Sequence, residues 1–220
     1  MNNSILLSLV IACIPSRVKI PILRILGAKI GRGCYIGFSL INSKSIFIGN
    51  NVRIASFNLL HRLTYLYFGD GSRMNGFNWV TGAGIGEFFL GRNSAVTRLH
   101  FFESSGGIKI MENSIIAGRG THFFTHGISA TNLDDVRPIV IGPWCYVGSS
   151  SRFVPGSSIG KGSFVGMGSV ITKNFTDVYV LIAGNPAVIR KKYSVNDIYF
   201  NRIFLSHDHQ PNFYDGGRPD

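Results

Sequence analysis

Residues 118–138, GRGTHFFTHGISATNLDDVRP, gather two of the chain's six histidines and two of its eleven acidic residues into one short run. Imidazole titrates nearer neutral pH than any other side chain, so a histidine here can take a proton from a hydroxyl and pass it on. His126, followed by Gly127, is the candidate base. His122 is its alternate: strand alternation would set both on one face with Phe124 between them, and a histidine among aromatics is commonly packed instead of reactive. Such a pair also suggests metal, with His100 as the internal third ligand, but histidines at this spacing are often unmetallated and no metal is expected. Asp134 and Asp135 can orient the base or hold a substrate hydroxyl, although loop acids in a basic chain are usually just solvated. His207, Asp208 and His209 lie in a Gly-, Pro- and polar-rich stretch that reads as a flexible tail. Nothing singles out His61.

The elements that must position these residues follow from a repeat. Ile141, Val147, Phe153, Ile159, Val165 and Ile171 recur at intervals of six, with Cys145, Ser151, Ser157, Ser163, Ser169 and Phe175 four places after each. Six is neither the helical period nor plain alternation, so each hexad is a short strand and a bend, and three sides close a coil of 18 residues. Anchor pairs recur upstream at Ile30/Ile36, Ile48/Ile54, Phe68/Met74, Leu90/Val96 and Ile110/Ile116, with Cys34, Val52, Ser72, Ser94 and Ser114 at the small position. Coil starts at 30, 48, 68, 90, 110, 141 and 159 predict about seven coils, with the excess over 18 in loops and one dominant insertion at 119–140. Gly31, Gly49, Gly69, Gly91, Gly142, Gly148, Gly160 and Gly166 follow anchors, where a missing Cβ accommodates the bend. The expected organisation is a cap at 1–29, a β-solenoid at 30–190 and a tail at 191–220. A sandwich of independent strands would not keep this integer spacing.

The hexads, with RPIVIG at 137–142, GSVITK at 168–173 and GNPAVIR at 184–190, resemble the bacterial hexapeptide-repeat acyltransferases, especially the sugar and polysaccharide O-acetyltransferases. The resemblance covers most of residues 27–190 and implies an all-β fold, a left-handed parallel β-helix. It implies transfer of an acetyl group from acetyl-CoA to a sugar hydroxyl, in the biosynthesis of capsule, O-antigen or exopolysaccharide, by a cytoplasmic homotrimer with sites shared between subunits. Thr125-His126-Gly127 matches the context of the family's catalytic histidine. By the same analogy Ser149, Met167, Thr172, Lys173 and Arg190 would contact coenzyme A, Lys173 and Arg190 through its phosphates. Three departures stand out. GNPAVIR is one residue shorter than the family's usual form. An asparagine expected one coil before the histidine corresponds to Asn78 only across an extra coil, while counting coils points to Leu99 or His100. A tryptophan has moved to Trp144. The same fold also carries zinc-dependent γ-carbonic-anhydrase-like enzymes and non-catalytic scaffolds, which remain the alternatives.

The net charge of +11 is uneven: the first 69 residues hold eight basic side chains and no acid. That asymmetry implies an anionic neighbour. No nucleic-acid motif accompanies it. Residues 5–14, ILLSLVIACI, are apolar but half the length of a membrane span. They read as a helix capping the open end of the coil, or as an interfacial helix with Arg17, Lys19 and Arg24 facing lipid headgroups at the inner face of a membrane. Such a location would suit a lipid-linked glycan acceptor. Cys13, Cys34 and Cys145 are too few and scattered for a disulfide framework, which fits a reducing compartment.

Overall fold

The computed structural model describes residues 5–202, except for the surroundings of residues 84 and 129. His207, Asp208 and His209 lie outside the described residues. The repeat folds into a parallel β-solenoid whose inward side chains stack in three columns. On side 1 the column runs Ile30, Ile48, Phe68, Leu90, Ile110, Ile141, Ile159 and Phe175. Side 2 stacks Ile36, Ile54, Met74, Val96, Ile116, Val147, Val165 and Ile182. Side 3 stacks Ile41, Leu60, Val80, Phe102, Phe123, Phe153 and Ile171. Seven coils are complete. An eighth has two sides and is closed by Ala187–Lys192, antiparallel to Val180–Gly184.

The glycines after the anchors serve a different purpose from the bend. A Cβ on Gly69 would lie 2.6 Å from the backbone nitrogen of Arg92 in the next coil, so these positions are small because coils approach closely there. The bend itself falls two residues later, at Asn51, Gly71 and Asn93, with φ of 57°, 68° and 55°. Extra residues in the early coils do not form loops either. Leu40–Ile48, Leu59–Phe68 and Trp79–Leu90 run unbroken from side 3 into side 1, and register shifts near Ser43 and Leu63 absorb the surplus as bulges.

The large insertion begins later than 119. His122–Phe124 is the side 3 strand of the fifth coil, paired with Phe101–Glu103 and Arg152–Phe153. Only an antiparallel hairpin, His126–Ser129 against Asn132–Val136, leaves the solenoid.

Two helices, α1 (Ile5–Ala12) and α2 (Ser16–Ile25), cover the first coil. Ile11, Leu23 and Ala28 close its apolar interior. Lys19 is buried, its ammonium donating to the carbonyls of Gly37 and Ala12, and burial lowers its pKa to about 8. It therefore does not face headgroups as expected. At the other end, residues 193–202 are packed: Tyr199 and Phe200 meet Phe164 edge-on, and the Arg202 guanidinium lies 3.6 Å from the centre of the Tyr199 ring.

Candidate functional site

Thr125 fastens the hairpin to the solenoid. Its backbone N–H and hydroxyl both donate to Glu103 Oε2, at 3.0 and 2.8 Å, while its hydroxyl accepts from the Gly106 N–H at 2.8 Å and its carbonyl from the Arg137 N–H at 2.9 Å. Glu103 Oε1 accepts from the Ser105 N–H at 3.0 Å. Burial alone would raise this carboxyl, but the hydrogen bonds from Ser105 and Thr125 outweigh it and hold the pKa below the ordinary carboxylate value. Glu103 was not singled out in the sequence, because its partners lie two and 22 positions away and only coiling brings the farther one near.

This carboxylate carries a prediction. A depressed folded pKa contributes stability that is present above the unfolded pKa and lost as pH falls through the lower folded value. Glu103→Gln is expected to cost about 1–3 kcal/mol at neutral pH, with the gap to the parent narrowing in acid. Urea unfolding at several pH values measures it. A pH-independent difference would mean that the charge does not matter.

Past Thr125 the chain turns out of the solenoid, so His122 and His126 do not share the continuous strand face that alternation suggested. His126 pairs with Val136 and is exposed, and Gly127 packs beside Pro155 of the next coil. Asp135 sits opposite Gly127, its carboxylate tied to the Arg137 guanidinium at 2.6 and 2.8 Å and held below its usual pKa chiefly by that contact. The neighbouring Asp134 is exposed.

His122 belongs instead to an aromatic strip on the outer surface of side 3. The strip crosses four coils: His61 Nε2 accepts from Trp79 Nε1 at 3.0 Å, Trp79 meets Phe101 edge-on at 5.2 Å, and Phe101 contacts His122 and Phe124 at 5.8 and 5.6 Å. Burial and then the Arg152 charge lower the His122 pKa, which favours the neutral imidazole. Trp79 is 47% exposed. Along the adjoining corner Phe57, Phe77 and Leu99 hold φ of 66°, 64° and 61° while largely exposed, and the two phenylalanines stack at 5.1 Å. These residues hold the same left-handed bend, three places after an anchor, that Asn51, Gly71 and Asn93 hold at the preceding corner. Phe102, in contrast, is a core residue.

The residues assigned by analogy to coenzyme A divide between the two edges of side 3. Ser149 and Met167 occupy the edge between sides 2 and 3, joined there by Arg190, whose Nε donates to the Ala183 carbonyl at 3.2 Å. Thr172 and Lys173 lie on the edge between sides 3 and 1, the edge from which the hairpin springs, with Lys173 5.4 Å from the Phe175 ring centre. A side 3 strand separates the two groups, roughly 10 Å at the usual rise per residue.

His100 and Asn78 are elsewhere. Both are buried in a ladder of inward polar side chains at the corner before side 3. Asn78 donates to Asn58 Oδ1 at 3.2 Å, and its own Oδ1 accepts from the His100 N–H at 3.0 Å. His100 Nδ1 accepts from the Thr121 N–H at 3.2 Å, which leaves Nε2 to donate to Thr97 Oγ1 at 2.9 Å. Burial, then His122, lowers the His100 pKa to about 4. Both side chains satisfy buried backbone groups, at the positions where the resemblance would put the family's substrate-binding asparagine. Among the described residues there is no group of three or more His, Cys, Asp or Glu able to hold a metal ion. Cys145 is fully buried, and burial pushes its thiol up to about 12, so it packs and does not react.

No family model matches the chain. Over 60 residues it is 37% identical to a chloramphenicol acetyltransferase of Escherichia coli, a match spanning 27% of this chain and 28% of that protein. Three solved structures are similar at lower identity. The polysialic-acid-specific acetyltransferase NeuO is 19% identical, with a TM-score of 0.46 over 78% of this chain and 86% of its own. A hexapeptide-repeat acetyltransferase of Vibrio cholerae is 18% identical, with a TM-score of 0.47 over 84% and 86%. A variant of the Bacillus cereus N-acyltransferase AntD, solved with dTDP and coenzyme A, is 18% identical, with a TM-score of 0.48 over 79% and 89%.

Proposed function

We propose that this chain is an O-acetyltransferase that moves an acetyl group from acetyl-CoA to a sugar hydroxyl in the building of a cell-surface polysaccharide. The observation that carries this reading is His126: an exposed imidazole on a hairpin buttressed by Glu103 and Thr125, rooted on the same edge as Thr172 and Lys173. The partial likeness to an acetyltransferase supports the reaction class.

In this mechanism His126 takes the proton from the acceptor hydroxyl as its oxygen attacks the thioester carbonyl carbon. The tetrahedral intermediate then expels coenzyme A sulfur, the C–S bond breaks, and the imidazolium returns the proton to the leaving thiolate. Asp135 is a positioning residue that holds Arg137 and the hairpin, and Asp134 is available to a sugar hydroxyl. Ser149 and Met167 would flank the pantetheine arm, with Arg190 and Lys173 near the phosphates and Thr172 beside the reacting end. Because these groups occupy both edges of side 3, a homotrimer that sets one copy's hairpin edge against its neighbour's Ser149 edge would assemble a complete site. The Trp79–Phe101–Phe124 strip offers exposed aromatic surface at successive coils, with ring centres 5.2 and 5.6 Å apart, suited to stacking against an extended glycan. The three unpaired cysteines favour a cytoplasmic setting.

The test is release of coenzyme A thiol from acetyl-CoA in the presence of nucleotide sugars, oligosaccharides and lipid-linked glycans. Acceptor-dependent release by the wild-type chain is expected. A chain that neither binds nor consumes acetyl-CoA would be a scaffold instead.

A further inference from the structure

We propose that the N-terminal cap docks the protein on an anionic lipid bilayer. Of the eight residues of α1, only Ser8 and Ile11 are buried, while Leu6, Val10 and Ile5 are 71%, 64% and 53% exposed. Capping the solenoid therefore uses one narrow stripe of an otherwise apolar helix and leaves the rest facing outward. α2 continues the surface: Val18 and Ile25 are exposed, Ile25 at 85%, with the exposed Arg17 among them, while the Arg24 guanidinium donates to the carbonyls of Ile30 and Gly31 and keeps its charge at the same edge.

Charge selects the occupant. The chain has no acidic residue before Asp70, and of the basic residues of that span Arg17, Arg24 and Lys29 are exposed on or beside the cap, while Lys19 is buried. A second copy docking cap to cap would bring together two ends on which basic residues outnumber acidic ones, which opposes a dimer through this face. An anionic bilayer supplies both a hydrocarbon boundary for the aliphatic side chains and negative charge opposite the exposed Arg17 and Lys29. Insertion would be shallow, since no described helix is long and apolar enough to cross a membrane. The hairpin leaves the fifth coil, four coils above the first, so it would stand roughly 20 Å from the surface if the solenoid axis points away from it. On the proposed function, that is the height at which a membrane-anchored glycan presents its sugars.

The experiment is flotation of the full chain with vesicles of phosphatidylcholine alone or mixed with phosphatidylglycerol, which requires no catalysis and so stands apart from the acetyltransferase reading. Binding to the mixed vesicles is expected to exceed binding to the neutral ones by about tenfold or more, and to weaken as salt is raised. Leu6→Glu with Val10→Glu, both exposed, should abolish flotation with no change in thermal unfolding or in coenzyme A release from acetyl-CoA with a soluble acceptor. Arg17→Ser should weaken binding to the anionic vesicles only. No preference for anionic vesicles, or unchanged binding by the double variant, would overturn the proposal. So would self-association that the double variant abolishes, because a second copy would then cover the face.

Discussion

His126→Ala lowers kcat for acceptor-dependent acetyl transfer by about 100-fold to 10,000-fold, the range for loss of a general base, while urea unfolding stays within about 0.5 kcal/mol of the parent, as for an exposed position. The two halves belong together. His126 is exposed on the hairpin, outside the three stacked columns, so its removal leaves no cavity. Coenzyme A affinity should also survive, because the substitution leaves every residue assigned to the coenzyme, Ser149, Met167, Thr172, Lys173 and Arg190, in place. His122→Ala supplies the contrast. That imidazole packs edge-on against Phe101 and Phe124 with a lowered pKa, so its loss should raise KM for a glycan stacked on the strip more than it lowers kcat. If the pattern reverses, with His122→Ala losing kcat and His126→Ala keeping it, the base lies on the strip and the hairpin is only a wall.

The period of six was legible because it reports one thing, which side chain points inward, and every coil repeats that choice. The eighth, two-sided coil was missed because Phe175 to Ile182 abandons the hexad spacing, and only pairing with Ile159 and Val165 identifies it. The corner glycines were correctly located but for the wrong cause: their dihedrals are ordinary, and the constraint is the close approach of the next coil, one turn of the solenoid away in sequence. The same distance hid the polar ladder. Asn78 and His100 look like surface chemistry in one dimension, whereas each satisfies a backbone group one coil along. Lys19 misled similarly, since a helical lysine normally faces water and this one finds carbonyls at the solenoid mouth. His126 was legible through its neighbours Thr125 and Gly127. What holds it, Glu103, was not, because a glutamate that fastens a hairpin has no spacing signature.

Phe123→Ala destabilises the protein by about 3–5 kcal/mol, the range for emptying a buried aromatic site. Phe102, Phe123 and Phe153 stack in one column with ring centres 4.8 and 4.6 Å apart and nearly parallel planes, and all are fully buried. Removing the middle ring takes contacts from both neighbours at once, and the backbone cannot collapse into the space because hydrogen bonds to the coils on either side fix the strand. A leucine should restore much of the loss. Phe123 also lies between His122 and Phe124, two residues before the Thr125 anchor, so a slack strand here would loosen the hairpin root as well. Phe153→Ala, one coil farther on, should cost comparable stability yet leave kcat closer to the parent, since no hairpin starts from that strand. Urea unfolding and acetyl-transfer rates on the two variants separate packing from positioning. A loss below about 1 kcal/mol for Phe123→Ala would show that the column relaxes, and equal losses of kcat in both variants would show that the hairpin does not depend on the strand that launches it.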